Sequence, residues 1–354
     1  MAERIRIIDI AKKAGVSAGT VDRVLHNRPN VSPKSRAKVE KVLKEQNYQP
    51  NIYASALAYN RSYNFFLLIP KHEQVAYWEE VEEGAKTAVI ARQDFNINID
   101  IEYYDRFDND SFLSVARKAI EKEPDGFILV PVGQEVTRLI TDELHEKDIP
   151  FVLLDSNMPD LKPLAFFGQD SLHSGYFAGR MLMLIASKEK QVLLMKVTKD
   201  GRVVSKQQDN REVGFRQYMC EHYPNVEILT LELPFYGDKQ QYDNIFDDFF
   251  ASHPGIHHAI TLGSKAHILG EYLLRKNMKD VYIMGYDMVM KNAECLKKGS
   301  ISFLIAQHAY QQGYYCVNAL FRAVVLKVKV PQVNYMPIEL LSKENVDFYR
   351  RTQL

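Results

Sequence analysis

The feature that most constrains the fold of this 354-residue chain is an alternation of short apolar runs and amphipathic stretches after residue 62. Ten runs of strand length occur there: FFLLI, INIDIEY, GFILV, FVLLD, LAFFG, VLLMKV, VEILTLEL, HAITLG, VYIMG and ISFLIA. Most are separated by segments with helical periodicity, such as 79–92 and 172–188. Repeated strand–helix units predict parallel sheets covered by helices on both faces. Ten strands exceed one comfortable sheet, so we expect two similar subdomains with a cleft between them.

The composition is that of an ordinary globular protein. Hydrophobic residues make up 46% and charged residues 25% of the chain, which excludes a disordered or collagen-like protein. The three cysteines, Cys220, Cys295 and Cys316, are too few and too widely spaced for a disulfide framework or a zinc site. The N-terminus lacks the apolar core of a signal peptide, and no run approaches the roughly 20 apolar residues of a membrane span. We therefore expect a cytoplasmic protein with no cofactor, no metal and no membrane contact.

The charges are unevenly distributed along the chain. The 45 Lys/Arg balance the 45 Asp/Glu overall, but residues 1–60 carry eleven Lys/Arg against five Asp/Glu. That segment has a net charge of +6, so the remainder has a net charge of −6. A basic N-terminal module on an acidic body predicts a polyanionic partner for one end of the chain only.

The basic segment predicts three short helices. A first set of apolar residues at helical spacing ends at Gly15, which suits a helix C-cap. Ser17 is a candidate N-cap for a second helix, and Ser32 followed by Pro33 begins a third, which should end near Tyr48. Two helices joined by a glycine-containing turn form the DNA-binding helix-turn-helix unit.

The second helix has an apolar face and an opposite face that could read DNA. Its apolar stripe is formed by Val21, Val24 and Leu25, so the candidates for base contact are Ala18, Gly19, Asp22 and Arg23. Arg23 can donate two hydrogen bonds to a guanine edge, and Asp22 can accept one from cytosine or orient Arg23. Basic residues at positions 12, 13, 34, 36 and 38 suit phosphate contacts. The alternative is a solvated basic helical hairpin.

The segment IIDIAKKAGVSAGTVDRVLHNRPNVSPKSRAKVEKVLKEQNYQPN resembles the N-terminal domain of the lactose/galactose repressor (LacI/GalR) family over nearly its whole length. AGVS, the frame TV-RVL, the VS before the third helix and the ending Tyr48, Pro50, Asn51 carry the resemblance. It implies sequence-specific binding of double-stranded operator DNA, and it adds Thr20, Ser32 and Lys34 to the candidate contacts. The chain has Asp22 where family members usually have Ser, which favours a different operator sequence.

Residues 51–62 are similar to the hinge helix of that family, which forms on the operator and inserts a leucine into the minor groove. The matching positions are Asn51, Ala54, Leu57 and Ala58, with Leu57 as the candidate wedge. Family members usually have Arg where Ser55 stands. A helix this short is unstable alone, so its ordering should be coupled to DNA and to a partner subunit. A bare linker is the alternative.

The predicted strand ends carry polar residues, and ligands of open parallel sheets bind at the carboxyl ends of the strands. The candidates there are Asp155, Gln169, Asp170, Asp287 and Gln307. Arg211, at a predicted helix start, and the pair Tyr77 and Trp78, which opens the first helix after residue 62, are further candidates. Carboxylates, amides and a guanidinium can satisfy sugar hydroxyls, and an aromatic face can pack on the C–H face of a sugar. Each residue alone could instead be a helix cap, a turn former or a core residue.

Residues 63–341 resemble the type I periplasmic sugar-binding fold, which the LacI/GalR family also carries. The motifs LLDSN, FGQDS, NREVGF, MGYD and IAQH match sugar-contacting positions of ribose-type binders, which implies that Asp155, Asn157, Gln169, Asp170, Arg211, Asp287 and Gln307 bind ligand. Tyr77 and Trp78 match the aromatic pair that stacks on the sugar. Those binders usually have Asn-Asp where this chain has Gly263 and Ser264, which favours a modified sugar, such as an acidic one held by Arg211.

These patterns predict a transcriptional regulator, by preference a repressor, whose operator affinity is controlled allosterically by a small ligand in the cleft. One DNA-binding head per half-site predicts a homodimer on a pseudo-palindromic operator. A non-sugar effector, either purine-like or a protein, is the alternative. An enzyme is disfavoured because no Gly-rich phosphate loop or nucleophile elbow is found, so we assign no catalytic residues. A transport binding protein is disfavoured by the basic head, and a tetramer by the lack of a C-terminal heptad repeat.

The predicted fold is an N-terminal all-α helix-turn-helix domain, residues 1–50, followed by a hinge, 51–62, and an α/β effector domain, 63–354. The effector domain should contain two Rossmann-like parallel-sheet subdomains around the cleft. We place the N-subdomain at about 63–163 and 308–330, and the C-subdomain at about 164–307 and 331–354.

Overall fold

The computed structural model describes residues 5–25, 29–46, 48, 53, 61–72, 77–203 and 205–349. The chain forms two compact units, Met1–Arg61 and Ser62–Leu354. The predicted hinge contacts, Asn51, Ala54, Leu57 and Ala58, lie outside the described residues.

The N-terminal unit contains three helices: α1 (Ile7–Ala14), α2 (Ala18–Leu25) and α3 (Pro33–Glu45). Gly15 ends α1 in the left-handed conformation, with φ of 65°. The hydroxyl of Ser17 accepts a hydrogen bond from the Thr20 amide at 3.2 Å, and that of Ser32 accepts one from the Ser35 amide at 3.1 Å. The three predicted helices and their caps are thus present, because each is encoded by local sequence.

One small apolar core holds these helices together. Its buried members come from all three: Ile10, Ala11, Ala14, Val21, Val24, Val39 and Val42. Leu25, Leu43 and Tyr48 pack against it as partly buried residues. Because Val21 and Val24 point into this core, the opposite face of α2 is turned to solvent.

The second unit contains thirteen strands and ten helices among its described residues. The strands are β1 (Tyr63–Pro70), β2 (Ile97–Tyr104), β3 (Gly126–Leu129), β4 (Phe151–Leu154), β5 (Ala165–Gly168), β6 (Gln191–Lys199), β7 (Arg202–Val203), β8 (Glu227–Pro234), β9 (His258–Thr261), β10 (Tyr282–Tyr286), β11 (Phe303–Ala306), β12 (Val333–Tyr335) and β13 (Glu339–Leu341). The helices are α4 (Tyr77–Ile90), α5 (Asn109–Glu121), α6 (Gln134–Glu146), α7 (Ser171–Ile185), α8 (Lys206–His222), α9 (Lys239–Ser252), α10 (Ala266–Lys276), α11 (Met290–Lys298), α12 (Ala309–Leu320) and α13 (Val346–Tyr349). All ten predicted strands are present, and the three unpredicted ones have only two or three residues.

The strands form two sheets, which confirms the predicted class of fold. The first sheet is parallel, with the order β12-β5-β4-β3-β1-β2. The second has the order β13-β11-β10-β9-β6-β7, with β8 also paired to β6. Its edge strands β7 and β13 run antiparallel to their neighbours, and its other strands are parallel. The central strands are buried on both faces, as expected of sheets covered by helices.

The crossings between the two sheets differ from the predicted boundaries by a few residues. β5 ends at Gly168 and pairs with β4 in the first sheet, so the chain leaves the N-subdomain after β5 and not at 163. β12 also joins the first sheet, so the last crossing follows Tyr335 and not 330. The sequence could not place these crossings, because a short apolar strand such as AFFG suits either sheet.

Paired glycines allow one close helix crossing in each subdomain. Gly84 of α4 lies against Tyr310 and Gly313 of α12 against Val81, so that a methyl group at either glycine would collide with a backbone carbonyl. Gly175 of α7 and Gly214 of α8 have the same relationship to Arg211 and Leu172. The second pair fixes the position of α8, the helix that carries Arg211.

Candidate functional site

The outward face of α2 is the candidate DNA-reading surface. Ala18, Gly19 and Arg23 are exposed there, and Asp22 is half-buried. The small side chains beside Arg23 leave room for a close approach to base edges. The structure thus places these four predicted residues on one accessible face.

Three other predicted DNA contacts lie around this face or at the start of α3. The hydroxyl of Thr20 is 2.9 Å from that of Ser17, so Thr20 is part of the cap of α2. Ser32 caps α3, and Lys34 is exposed in the first turn of that helix. A phosphate oxygen only accepts hydrogen bonds, so a contact with Ser32 would replace the bond that its hydroxyl now donates to the Ser35 hydroxyl at 2.9 Å.

A cavity of about 340 Å³ lies between the two subdomains, at the carboxyl ends of strands from both sheets. The N-subdomain contributes Lys71, His72, Tyr77, Trp78 and Arg106, and the C-subdomain contributes Val197, Gln208, Phe235, Tyr236, Thr261, Gly263, Ser264 and Lys265. This volume is in the range of small-molecule sites. The predicted aromatic pair lines the cavity, with the rings of Tyr77 and Trp78 edge to face at 4.9 Å. The cavity is our candidate ligand site.

The predicted carboxylates lie beside this cavity and do not line it. Asp155 follows β4 and Asp287 follows β10, both with left-handed backbones at φ of 70° and 71°. They are 7% and 5% exposed. Tyr77, which lines the cavity, donates its hydroxyl hydrogen to Asp155 Oδ1 at 3.5 Å.

Arg211 is the central cation of this buried cluster. Its guanidinium donates to the carbonyl of Leu262 at 2.8 Å and to the side-chain oxygen of Gln307. The amide of Gln307 donates in turn to Asp287 Oδ1 at 2.5 Å. The guanidinium also stacks on the ring of Tyr286, 4.2 Å from its centre. The side-chain amide of Gln307 therefore connects the oppositely charged Arg211 and Asp287. Its oxygen faces Arg211 and its nitrogen faces Asp287, so the two partners together fix its orientation.

The other three predicted ligand residues line a different cavity. Asn157, Gln169 and Asp170 border a second space of about 540 Å³, together with Ser156 and Gln207. The Gln169 amide donates to the carbonyls of Ala306 and Pro337, at 3.1 and 2.8 Å, so it connects chain segments. Asp170 caps α7 by accepting from the His173 amide at 3.0 Å. The structure does not bring these three together with Trp78, and their binding role stays a prediction.

Several contacts join the subdomains across the cleft. Gln207 of α8 donates to the backbone carbonyl of Asp155. The ring of Phe107, after β2, packs against those of Phe235 and Tyr236, with centroids 5.1 and 6.5 Å away. Lys199 Nζ lies 4.2 Å from the centre of the Phe107 ring. These contacts connect the two subdomains beside the candidate ligand site, which Phe235 and Tyr236 also line.

Burial changes the acidity of the clustered groups. Desolvation raises the pKa of Asp155 to about 6, helped by the charge of Asp287 and opposed by Arg211 and Arg106. Burial also raises the pKa of Asp287, while Arg211 and Gln307 lower it. Each shift has the sign expected when a carboxylate leaves water without a direct ion pair.

Replacing Asp155 by asparagine should change how stability depends on pH. Because its folded pKa is above its unfolded value, protonated Asp155 stabilises the fold below about pH 4, and this contribution is lost as the pH rises through 6. Asparagine keeps the shape and tolerates the left-handed backbone. Between pH 4 and 7, we expect the free energy of unfolding of Asp155→Asn to rise relative to that of the unmodified chain by up to about 3 kcal/mol. Urea unfolding without ligand measures this difference. Parallel pH profiles would contradict the raised pKa.

Sequence reasoning missed several residues of this site. Arg106 and Lys265 follow β2 and β9, so the strand-end rule that selected Asp155 applied to them as well. Gln207 and Gln208, in the first turn of α8, had no such signal. Gln312 of α12 donates to Tyr77 at 2.9 Å, a contact between residues 235 positions apart in the chain.

Two absences concern only the part of the chain that the structure describes. None of its helices is long and apolar enough to cross a membrane. No group of three or more His, Cys, Asp or Glu side chains in it could hold a metal ion.

Comparison with known proteins gives the same two-part division. Residues 66–327 match the periplasmic binding protein domain, and residues 6–51 match the bacterial regulatory proteins of the lacI family. A glucose-galactose binding protein from Geobacillus stearothermophilus has the fold of the larger part, with a TM-score of 0.68 at 22% identity over 81% of this chain and 99% of that protein. The fold and the cleft thus define the class of periplasmic-binding-protein-like effector domains.

Two relatives identify the family. The crystal structure of a protein described as a LacI transcriptional regulator, from Bacteroides fragilis, shares 42% identity and a TM-score of 0.79 over 82% of this chain and all of that one. The transcriptional regulator DegA of Bacillus subtilis is 30% identical over 65% of either protein, so the chain spans slightly less than two thirds of that relative. The chain belongs to the LacI family of transcriptional regulators.

Proposed function

We propose that the protein is a sequence-specific DNA-binding regulator, by preference a repressor, whose operator affinity is set by a small carbohydrate-like ligand bound in the cleft. The observation that carries the proposal is that one chain contains two separate units, each with its own candidate binding site. It has a helix-turn-helix unit with an exposed reading face and a separate α/β unit with a ligand-sized cavity. No catalytic step is part of the proposal, because the relatives DegA and MalR are named as transcriptional regulators.

The α2 face supports reading in the major groove. Arg23 would donate to a guanine edge, and Ala18 and Gly19 would allow the helix to approach closely. The exposed Lys34 of the next helix would add a phosphate contact that fixes register. A single unit of this size reads one short half-site, so a cytoplasmic homodimer on a pseudo-palindromic operator is the expected active form.

The cleft supports control by a ligand because both subdomains line the cavity. A ligand that contacts Trp78 from one side and Ser264 from the other binds the closed form better than an open one. It can change operator affinity only through that difference. The cross-cleft contacts of Gln207 and Phe107 belong to the closed form, so they are where ligand binding and domain movement would be coupled.

Selection of binding sites from random double-stranded DNA by the purified full chain tests the DNA half. The proposal predicts enrichment of a pseudo-palindrome with two equivalent half-sites. Recovery of unrelated sequences, with affinities that vary with salt concentration but not with sequence, would contradict the proposal. Such behaviour is typical of nonspecific binding through phosphate contacts.

Replacing Arg23 by alanine should weaken binding to the selected operator by about 1–3 kcal/mol, and relax the preference at one base pair of each half-site. Lys34→Ala is the matched control, since a phosphate contact should be lost equally on all sequences and the salt dependence should decrease. Fluorescence anisotropy on the operator and on single-base variants separates the two patterns. An unchanged base preference in Arg23→Ala would remove Arg23 from base readout.

A further inference from the structure

The candidate ligand cavity is lined by positive charge from both subdomains. Lys71 follows β1, Arg106 follows β2, and Lys265 follows β9. Among the described residues that line this cavity there is no Asp or Glu. The buried carboxylates Asp155 and Asp287 lie in the cluster around Arg211, and Glu82 is paired with His72 and Lys86. A neutral ligand would need no such surplus of cations.

Arg106 is the cation whose bonding capacity is most clearly unused. It is half-buried, and within the described chain it makes no hydrogen bond or ion pair. Its Nε is buried without a partner, and burial lowers the pKa of the guanidinium. The guanidinium carbon lies 5.9 Å from the centre of the Trp78 ring, and the charges of Asp155 and Asp105 act on Arg106 without forming an ion pair with it. A guanidinium held over an aromatic ring at a cavity wall is arranged to receive a planar or tetrahedral oxyanion.

The remaining wall of the cavity suits an uncharged polyol. Thr261, Ser264 and Gln208 supply hydroxyl and amide groups, and Trp78 and Tyr236 supply aromatic faces. A methyl group at Gly263 would collide with the Gln208 amide, so this amide fills the space where ribose-type binders carry a side chain. Neutral hydrogen-bonding groups therefore replace the carboxylate expected next to Gly263.

We infer that the ligand is an anionic carbohydrate, a sugar bearing a carboxylate or a phosphate group, with its anion on Arg106 and its ring beside Trp78. The inference rests on the proposed function, because it names the ligand class of the same cleft. It differs from the sequence-based expectation in the residue that holds the anion. Arg211 is engaged by Leu262, Gln307 and Tyr286, so Arg106 takes that role.

The test uses matched sets of a neutral sugar, its uronate and its 6-phosphate, in the glucose and galactose series, with ribose and ribose 5-phosphate. Thermal shift of the full chain identifies binders, and calorimetry gives their Kd. Inorganic phosphate is included against sodium chloride at equal ionic strength, to detect the anion subsite without its sugar. We expect at least one uronate or sugar phosphate to bind at least tenfold more tightly than its neutral counterpart. Whichever of the two binds more tightly shows whether the ligand carries a carboxylate or a phosphate group.

Arg106→Gln should weaken binding of that compound at least tenfold, and Arg106→Lys should retain part of it. Arg138→Gln is the matched control, because it removes the same charge from α6, outside the cavity, and it should bind normally. With inorganic phosphate, protection that Arg106→Gln abolishes supports the anion subsite.

Two results would overturn the inference. One is a neutral sugar that binds as tightly as its anionic counterparts, which would leave ligand control of the regulator intact. The other is no binding in the panel together with no protection by phosphate beyond that of chloride.

Discussion

Replacing Arg211 by leucine is expected to lower the free energy of unfolding of the effector unit by about 3–5 kcal/mol, the loss typical of leaving a buried charge uncompensated. Arg211 is only 2% exposed, and its guanidinium is the cation nearest to Asp287, through Gln307. Its removal leaves two buried carboxylates, Asp155 and Asp287, without that charge. Urea unfolding at pH 7.5 measures the effect. The loss should shrink near pH 5, where protonated carboxylates need no counter-charge.

The double variant Arg211→Leu, Asp287→Asn distinguishes charge compensation from simple loss of packing. If Arg211 acts by neutralising the cluster, the double variant should recover a measurable part of the stability, because a buried charge is removed with its partner. A double variant whose loss of stability equals the sum of the losses in the two single variants would contradict charge compensation. The result also determines how effector experiments on Arg211 are interpreted, since a variant that fails to fold would mimic loss of ligand response.

Replacing Val39 by aspartate is expected to abolish specific operator binding while leaving ligand binding in place. Val39 is fully buried at the centre of the three-helix core. An unpaired carboxylate there costs about 3–5 kcal/mol, which is comparable to the whole stability of so small a core. The effector unit has its own core, so its thermal shift with ligand should be unchanged. Anisotropy on the selected operator provides the DNA measurement.

Ala37→Asp is the matched control for Val39→Asp. It adds the same charge to the same helix, α3, at an exposed position. The head should stay folded and specific binding should persist. Equal loss of binding in both variants would mean that added negative charge, and not an unfolded head, is responsible. Loss of ligand binding in Val39→Asp would contradict the independence of the two units.

The three helices of the N-terminal unit could be predicted almost completely from sequence because their determinants are local. Gly15 ends a helix by its own backbone freedom, and Ser17 and Ser32 cap helices through bonds to amides three residues away. The ten apolar runs likewise predict the strands of the effector unit. The short strands β7, β12 and β13 escaped prediction because two or three residues carry no periodic signal.

The ligand site could be predicted only in part because its composition depends on side-chain direction and on pairing between distant segments. Strand-end position brought Asp155, Asp287 and Gln307 into one region, as expected. In the structure, Arg211 of α8 binds Gln307, and Gln307 binds Asp287, so these side chains contact one another. Gln169 and Asp170 follow a strand of the first sheet, where Gln169 connects chain segments and Asp170 caps α7. No pattern in the sequence distinguishes these uses from ligand binding.

The measurement that tests the central claim most directly is the operator Kd of the full chain with and without a saturating compound from the carbohydrate panel. Binding in the cleft and binding on α2 should be thermodynamically coupled. We therefore expect the operator Kd to change at least tenfold on ligand binding, and the ligand Kd to change by the same factor when operator is present. An operator Kd that stays constant while the ligand fills its site would contradict the claim that the cleft controls DNA binding.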